Sequence, residues 1–382
     1  MRGMLKVSLV WGICMCLDSC TIPTTPVNPV TPRSQSEEFL FAAANGTVLS
    51  LQIDTTTGAL SNTQSVAGPE SPSGIGVNTD GVFIYIVNIN GNVGGFTIGQ
   101  SGDLTTVDGS PFTVGSDTTP AGLAIDPQGT YLYVTDFGIV KTVGAGTETA
   151  GGVSGFKINA STGSLSSVDN SPFPANVFET LVIVDPSGRF LYSVNASTGA
   201  NLTGFSINPT SGDLSQIQGS PWEVPTPSRD APAALAIDGT GKFLYVSSGI
   251  LGLTGYSISQ TDGSLTPITN SPFGAGTTIS SIVVAPTGSF LYGMNPSKGT
   301  ISEFMINDSN GTLTEVQGSP FPAGTATGTI VIDRSGQYLF AADHQAAVFR
   351  VFSIDKSTGF LTASGTSPLA IAGTDPLFLA TY

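Results

Sequence analysis

The chain is poor in the residues from which most catalytic and metal chemistry is built. Of its 382 residues one is histidine and three are cysteine. The cysteines, Cys14, Cys16 and Cys20, all lie near the N-terminus. Everything after Cys20 can therefore form neither a disulfide nor a cysteine-ligated metal site. Charged residues make up only 10% of the chain, so its surface is mainly Ser, Thr, Asn and Gly. There is no Gly-x-Ser-x-Gly elbow at a strand-to-helix turn, which argues against a serine hydrolase. No amphipathic helical run is present, so the Gly-containing turns are not phosphate cradles opening helices. Acidic residues outnumber basic ones 27 to 12, for a net charge of −15. Such a surface disfavours nucleic acid and anionic lipid headgroups.

What the chain does have is one pattern, written about seven times. A short apolar strand leads to Asp-Pro-x-Gly or a similar turn. An aromatic-rich strand ending in Asn or Asp follows, then a strand ending in Gly-Phe-x-Ile, then Gly-x-Leu and Ser-Pro-Phe. The marker aromatics of the second strand are Phe41, Tyr85, Tyr133, Tyr192, Tyr245, Tyr292 and Phe340, at steps of 44, 48, 59, 53, 47 and 48 residues. Ser-Pro precedes an apolar residue at Phe112, Phe173, Trp222, Phe273, Phe321 and Leu369. A repeat of this length with four strands per copy predicts an all-β fold, a seven-bladed β-propeller of four-stranded blades. The 48 glycines supply its tight turns, and a hydrophobic content of 40% suffices for its core.

The two ends complement each other. Residues 38–70 contain strands two to four of a blade but lack the first. Asp375-Pro376-Leu377-Phe378-Leu379-Ala380 reads as an isolated first strand. The C-terminal strand is expected to join the N-terminal blade and close the ring, which removes free sheet edges. One propeller domain over 38–382 results.

Ahead of it, Arg2 and Lys6 precede the apolar run Val7 to Leu17, which is too short to span a bilayer and fits a signal peptide over 1–19. Leu17-Asp18-Ser19-Cys20 resembles a bacterial lipobox, with Cys20 the lipidated residue and Asp18 a departure from the small or apolar residue usual there. Residues 20–37, rich in Pro and Thr, read as an extended tether. The expectation is an envelope lipoprotein on the periplasmic or surface side, touching the membrane only through its lipid, with simple secretion as the alternative. Removal of 1–19 takes away Arg2, Lys6 and Asp18 and moves the net charge from −15 to −16.

The start of strand one and the end of strand two share one rim of the ring. Strand-two ends are Asn88, Asp136, Asn195, Ser248, Asn295 and Asp343. Asn and Asp end strands by bonding their own backbone. The set Asn88, Asp136, Asn195, Asn295 and Asp343 is also an oxygen-rich candidate for calcium. His344 follows Asp343 on this rim, either as a plain loop residue or as a general base oriented by a carboxylate such as Asp136 or Glu179. Lactone hydrolysis would need an activated water, from Glu179 or His344, and an oxyanion donor, from Arg229, Lys298 or Lys141. Arg229 and Asp230 can equally pair with each other. An insertion from Phe137 to about Gly151 reads as a lid over the channel or as a surface hairpin.

The units Asp126-Pro127-Gln128-Gly129-Thr130-Tyr131-Leu132-Tyr133-Val134-Thr135-Asp136 and Asp185-Pro186-Ser187-Gly188-Arg189-Phe190-Leu191-Tyr192-Ser193-Val194-Asn195 resemble the repeat of the seven-bladed lactonase family. That family includes propeller-type 6-phosphogluconolactonase and the related muconate cycloisomerase, and the repeat is also similar to that of the YVTN surface propellers. The resemblance covers about 38–382. It implies a propeller whose active members place His, Arg and Glu on the channel face, the His two residues after the Pro that opens a blade. The matching positions here are Gly74, Gly122, Thr180, Ala234, Ser281, Thr329 and Phe378, none of them His; Glu179 stands one residue before Thr180.

Two functions follow as expectations. One is an envelope binding or scaffold propeller without the lactonase residues, whose partner is a small carbohydrate-like ligand or an envelope protein. The other is a sugar-lactone hydrolase with a site on the channel rim around Glu179, Asp343, His344 and Arg229. No cofactor and no nucleic acid are expected, and the chain is expected to be a monomer.

Overall fold

The computed structural model describes residues 37–382 except 116–117, 144–145, 176–177, 196–198, 227–231, 275, 325–326, 344–345, 366 and 371–375. Seven antiparallel sheets stand around one axis. Their innermost strands are Pro376–Thr381, Pro72–Val77, Pro120–Ile125, Glu179–Val184, Leu235–Ile237, Ser281–Val284 and Thr327–Ile332, in blades 1 to 7. Each touches the next, and that of blade 7 touches that of blade 1, so the ring is closed.

Blade 1 is composite. Its strand order is Leu60–Ala67, Thr47–Ile53, Glu38–Ala44, Pro376–Thr381. The Phe39 and Tyr382 backbones exchange N–H···O bonds of 2.8 and 3.0 Å, which joins the two ends of the propeller. In five of the other blades the outer position is filled by two short pieces. In blade 4, for example, Leu214–Gln216 pairs with one half of Asn201–Ile207 and Trp222–Glu223 with the other. These blades thus have five strands rather than the four expected, because a Ser-Pro corner breaks the outer strand. In blade 5 the second piece is a single bridge, Leu253 to Phe273.

The repeated residues have repeated jobs. The Asp or Asn after the first strand accepts two backbone N–H groups from the start of the second. Asp185 Oδ1 takes those of Arg189 and Phe190 at 2.8 and 2.7 Å, and Asn78, Asp126, Asp238 and Asp333 do the same in their blades. Each closes a hairpin turn by mimicking a backbone acceptor. The serine of each Ser-Pro accepts a third-strand N–H, as Ser220 Oγ does from Gly204 at 2.9 Å. Ser110, Ser171, Ser271, Ser319 and Ser367 repeat this.

Two devices join neighbouring blades. The first is the glycine of Gly-x-Leu. Gly58, Gly102, Gly163, Gly212, Gly263, Gly311 and Gly359 all have φ between +71° and +83°. A Cβ on any of them would also come within 2.3–2.5 Å of the ring that opens the second strand of the preceding blade, such as Phe290 against Gly359. Conformation and close approach therefore both demand glycine there. The second is the apolar residue after Ser-Pro, which packs with the third strand of the next blade. Phe173 clusters with Phe205 and Ile207, Trp222 with Tyr256 and Ile258, and Phe273 with Phe304 and Ile306. Phe321 stands edge-on to Phe352 with ring centroids 5.7 Å apart.

Candidate functional site at the channel mouth

One rim collects the polar ends of the second strands. The backbone register sets Pro72 opposite Asn88, Pro120 opposite Asp136, Glu179 opposite Asn195 and Thr327 opposite Asp343. Beside each of these pairs the innermost strand carries a β-bulge, and blade 1 has one where Pro376 faces Ala44. Bulges re-aim side chains and are frequent beside functional sites, so this rim is the candidate mouth of a site.

The rim oxygens are engaged in holding their own loops. Asn88 Oδ1 accepts the N–H groups of Asn90 and Asn92, at 3.2 and 3.1 Å. Asp136 Oδ1 accepts those of Thr119 and Gly138, at 2.9 and 3.0 Å. Asn195 caps Asn201 at 2.8 Å, and Asn295 caps Lys298 at 3.1 Å. Ser248 and Thr254 share a hydroxyl hydrogen bond of 2.7 Å. The five candidate calcium ligands thus each serve a turn in a separate blade. Among the described residues no group of three His, Cys, Asp or Glu is placed to hold a metal ion.

The two carboxylates proposed for catalysis stand three blades apart. Asp343, in blade 7, is fully buried; its Oδ2 takes Nε and Nη2 of Arg350 at 3.2 and 3.0 Å, and its Oδ1 caps Ala346. Two guanidinium N–H groups thus converge on one carboxylate oxygen, a charge-assisted structural clamp. Glu179 opens the innermost strand of blade 4, also fully buried, and accepts the Thr203 hydroxyl at 3.1 Å. Burial leaves it without direct access to a water in the channel. His344 and Arg229 lie outside the described residues, as do Asp230 and the side chain of Lys141. Lys298 is described and exposed.

Positions matched to the family's histidines lie where adjacent innermost strands converge. A Cβ at Gly122 would meet the Thr180 carbonyl at 2.7 Å, and one at Gly74 would meet the Gly122 Cα at 3.5 Å. The Thr329 hydroxyl bonds Leu377 O at 2.8 Å, and Ser281 Oγ accepts Ile330 N–H at 3.2 Å, both between blades 6, 7 and 1. Small residues at these places serve blade-to-blade contact.

Blades 3 and 4 add an aromatic feature to the mouth. Phe178, just before Glu179, has φ +63°, a costly conformation for a non-glycine residue. It packs edge-on to Phe137 with ring centroids 4.9 Å apart, and its N–H donates to Phe137 O at 2.9 Å. Phe137 is 37% exposed. The expected insertion continues the two middle strands of blade 3 as one long hairpin, Tyr131–Val143 with Gly146–Ile158. Sequence reading missed Phe178 and the partners Thr203 and Arg350. Arg350 carried a signal, since it occupies a third-strand position that holds Ser or Thr in blades 3 to 6.

Seven blades closed by the C-terminal strand, with a polar-capped mouth, define a propeller of the lactonase type. The chain belongs to the lactonase, seven-bladed β-propeller family, whose model matches residues 37–143, 103–229 and 272–374. Solved structures agree in fold. One of a putative 6-phosphogluconolactonase from Bacteroides uniformis is 20% identical, covering 91% of this chain and 100% of that one, with a TM-score of 0.72. A Pseudomonas aeruginosa periplasmic gluconolactonase is 17% identical, covering 91% and 99%, with a TM-score of 0.71. A putative 6-phosphogluconolactonase from Bacteroides fragilis is 20% identical, covering 91% and 98%, with a TM-score of 0.68. No curated protein matches the sequence.

Proposed function

We propose that this chain is a binding or scaffold propeller of the cell envelope, built on the lactonase fold without lactonase chemistry. The observation that carries the reading is the state of the family's catalytic positions. They hold Gly74, Gly122, Thr180, Ala234, Ser281, Thr329 and Phe378, and Asp343 is bound by Arg350. A general base must reach the proton it removes, and neither Glu179 nor Asp343 is solvent-accessible. The exposed Phe137, beside Phe178, gives the mouth a surface for a carbohydrate-like ligand or an envelope partner. Lipidation at Cys20 and the tether to residue 37 would hold the ring outside the cytoplasm. The periplasmic Pseudomonas gluconolactonase of like fold is consistent with that placement.

One observation favours an active lactonase as the second reading. Glu179 lies buried directly after the strained Phe178, and a shift of that residue would open the carboxylate to the channel. The test is hydrolysis of glucono-1,5-lactone followed by pH-stat. The binding reading expects the uncatalysed rate with wild type and Glu179→Gln alike. Turnover lost in Glu179→Gln would replace it with the second. Anchoring is tested separately by fractionation: Cys20→Ser should leave the membrane fraction, and equal solubility of wild type and mutant would refute the lipid anchor.

A further inference from the structure

The seven blade interfaces are not equal. Six blades carry a large apolar residue after Ser-Pro, Phe112, Phe173, Trp222, Phe273, Phe321 and Leu369, and all but the first are seen packed against the next blade. In blade 1 the outer strand Leu60–Ala67 runs on without a Ser-Pro corner. Its register partner to Val48 is Val66, as Phe112 is partner to Val93 and Phe173 to Val153. Val66 therefore holds the aromatic's place, packed against Phe96, Ile98 and Leu104 of blade 2. It is much smaller than the ring it replaces.

The facing wall is trimmed as well. Gly94 is paired to Ile86 on the third strand of blade 2. The equivalent residues are Leu49, Ser154, Thr203, Thr254, Ser302 and Arg350. All six other blades thus carry a side chain where blade 2 has none. Gly94 lies outside the positive-φ set, so its conformation does not demand glycine. Its missing Cβ would stand 2.9 Å from Pro69 Cγ, across the interface.

A cleft of about 220 Å³ opens beside Gly94 between blades 1 and 2, walled on the blade 1 side by Ala67, Gly68 and Pro69, which directly follow Val66. Pro69, Phe96 and Pro111 give it apolar walls, and Asn88, Asn92 and Thr106 give it polar edges. The polar groups are only partly used. Asn88 spends its Oδ1 on two backbone N–H groups, and its Nδ2 donates to no described residue. Asn92 Nδ2 donates to Asn90 O, while its Oδ1 accepts nothing among the described residues. Among the described residues no Asp, Glu, Lys or Arg lines the space.

We infer that this inter-blade cleft is a binding site for one neutral, polyhydroxylated six-membered ring, such as a single pyranose. The cleft is below the size of drug-like pockets and suits one ring. A pyranose offers an apolar C–H face to Phe96 and the prolines, and hydroxyls that both donate and accept for the amides and Thr106. A charged ligand would lose its hydration with no partner to replace it. The site lies between blade faces, and the inference needs neither lactone chemistry nor membrane anchoring.

Saturation-transfer NMR with methyl β-D-glucopyranoside, methyl α-D-mannopyranoside and methyl β-D-galactopyranoside on the whole protein tests it. Transfer is expected to at least one glycoside, and a weaker signal to the anionic methyl β-D-glucuronide. Gly94→Ser restores the side chain the other blades use and should abolish the transfer while the protein melts cooperatively, and Asn92→Ala, which removes a polar edge, should weaken it. Should Gly94→Ser fail to fold, Asn92→Ala decides, and undiminished transfer in it overturns the inference. No transfer to any neutral glycoside overturns the inference. So does undiminished transfer in a folded cleft-filling variant, or a glucuronide signal equal to the neutral ones.

Discussion

The Tyr292 hydroxyl, at the heart of blade 6, donates to the carbonyl of Gly359 in blade 7 at 2.8 Å. The same bond joins Tyr85 to Gly163, Tyr133 to Gly212, Tyr192 to Gly263 and Tyr245 to Gly311. Burial pushes every one of these phenols well above its ordinary pKa, so they remain donors. The two interfaces without this latch are those of the composite blade, where Phe340 and Phe41 stand in place of tyrosine. At one of them Tyr338, which opens the strand, bonds Thr56 O at 2.5 Å, as Tyr131 bonds Thr210 O beside an intact latch.

Removing one latch should therefore weaken the ring. Tyr192→Phe leaves the Gly263 carbonyl without its partner and is expected to cost about 1–3 kcal/mol. Phe340→Tyr should supply the missing bond to Gly58 and raise stability by about 0.5–1 kcal/mol. Chemical denaturation of the two variants checks both signs. A Tyr192→Phe midpoint equal to wild type would show that the latch contributes nothing.

Glu303 makes stability depend on pH. It occupies the third-strand position held by glycine in blades 2 to 5, is 1% exposed, and accepts the Leu361 N–H of blade 7 at 3.1 Å. Its second oxygen has no partner among the described residues. Burial pushes its pKa up from 4.5 to about 7, with the Leu361 bond pulling the other way. The unfolded chain releases this proton near 4.5, while the folded chain holds it until about 7. Between those values the folded state binds more protons, so this group's contribution falls as pH rises through that window and is flat above it. Glu303→Gln should melt higher than wild type at pH 8, with the advantage shrinking towards pH 4. An advantage independent of pH would contradict the assignment.

Closure of the ring rests on the last strand. Deleting Pro376–Tyr382 removes the register partners of Leu40 to Ala44 and the Phe39–Tyr382 backbone pair. The exposed edge should cause aggregation or a large loss of thermal stability. An unchanged melting curve would refute the composite blade.

Much of this architecture was legible in the sequence. The period, the marker aromatics and the orphan first strand at Pro376 required only counting, because each blade repeats the same local turn chemistry. The latch was not legible: Tyr292 and Gly359 are distant in the chain and meet only when blades are stacked. Nor was the split outer strand, since Ser-Pro reads as a turn without showing which edge it returns to. The candidate site was least legible. Glu179 and Asp343 were visible as acids, but Thr203 and Arg350, which decide what those acids can do, are specified by the third-strand register. The cleft at Gly94 likewise emerges only when equivalent positions are aligned by pairing.

The most direct measurement is the hydrolysis of 6-phosphogluconolactone by the purified propeller. A phosphorylated substrate needs cationic partners in the channel. The chain has 12 basic residues against 27 acidic ones, and its field repels the approaching anion. The expected rate equals spontaneous hydrolysis at every protein concentration. A rate that scales with enzyme and disappears in Glu179→Gln would contradict it and establish a working lactonase.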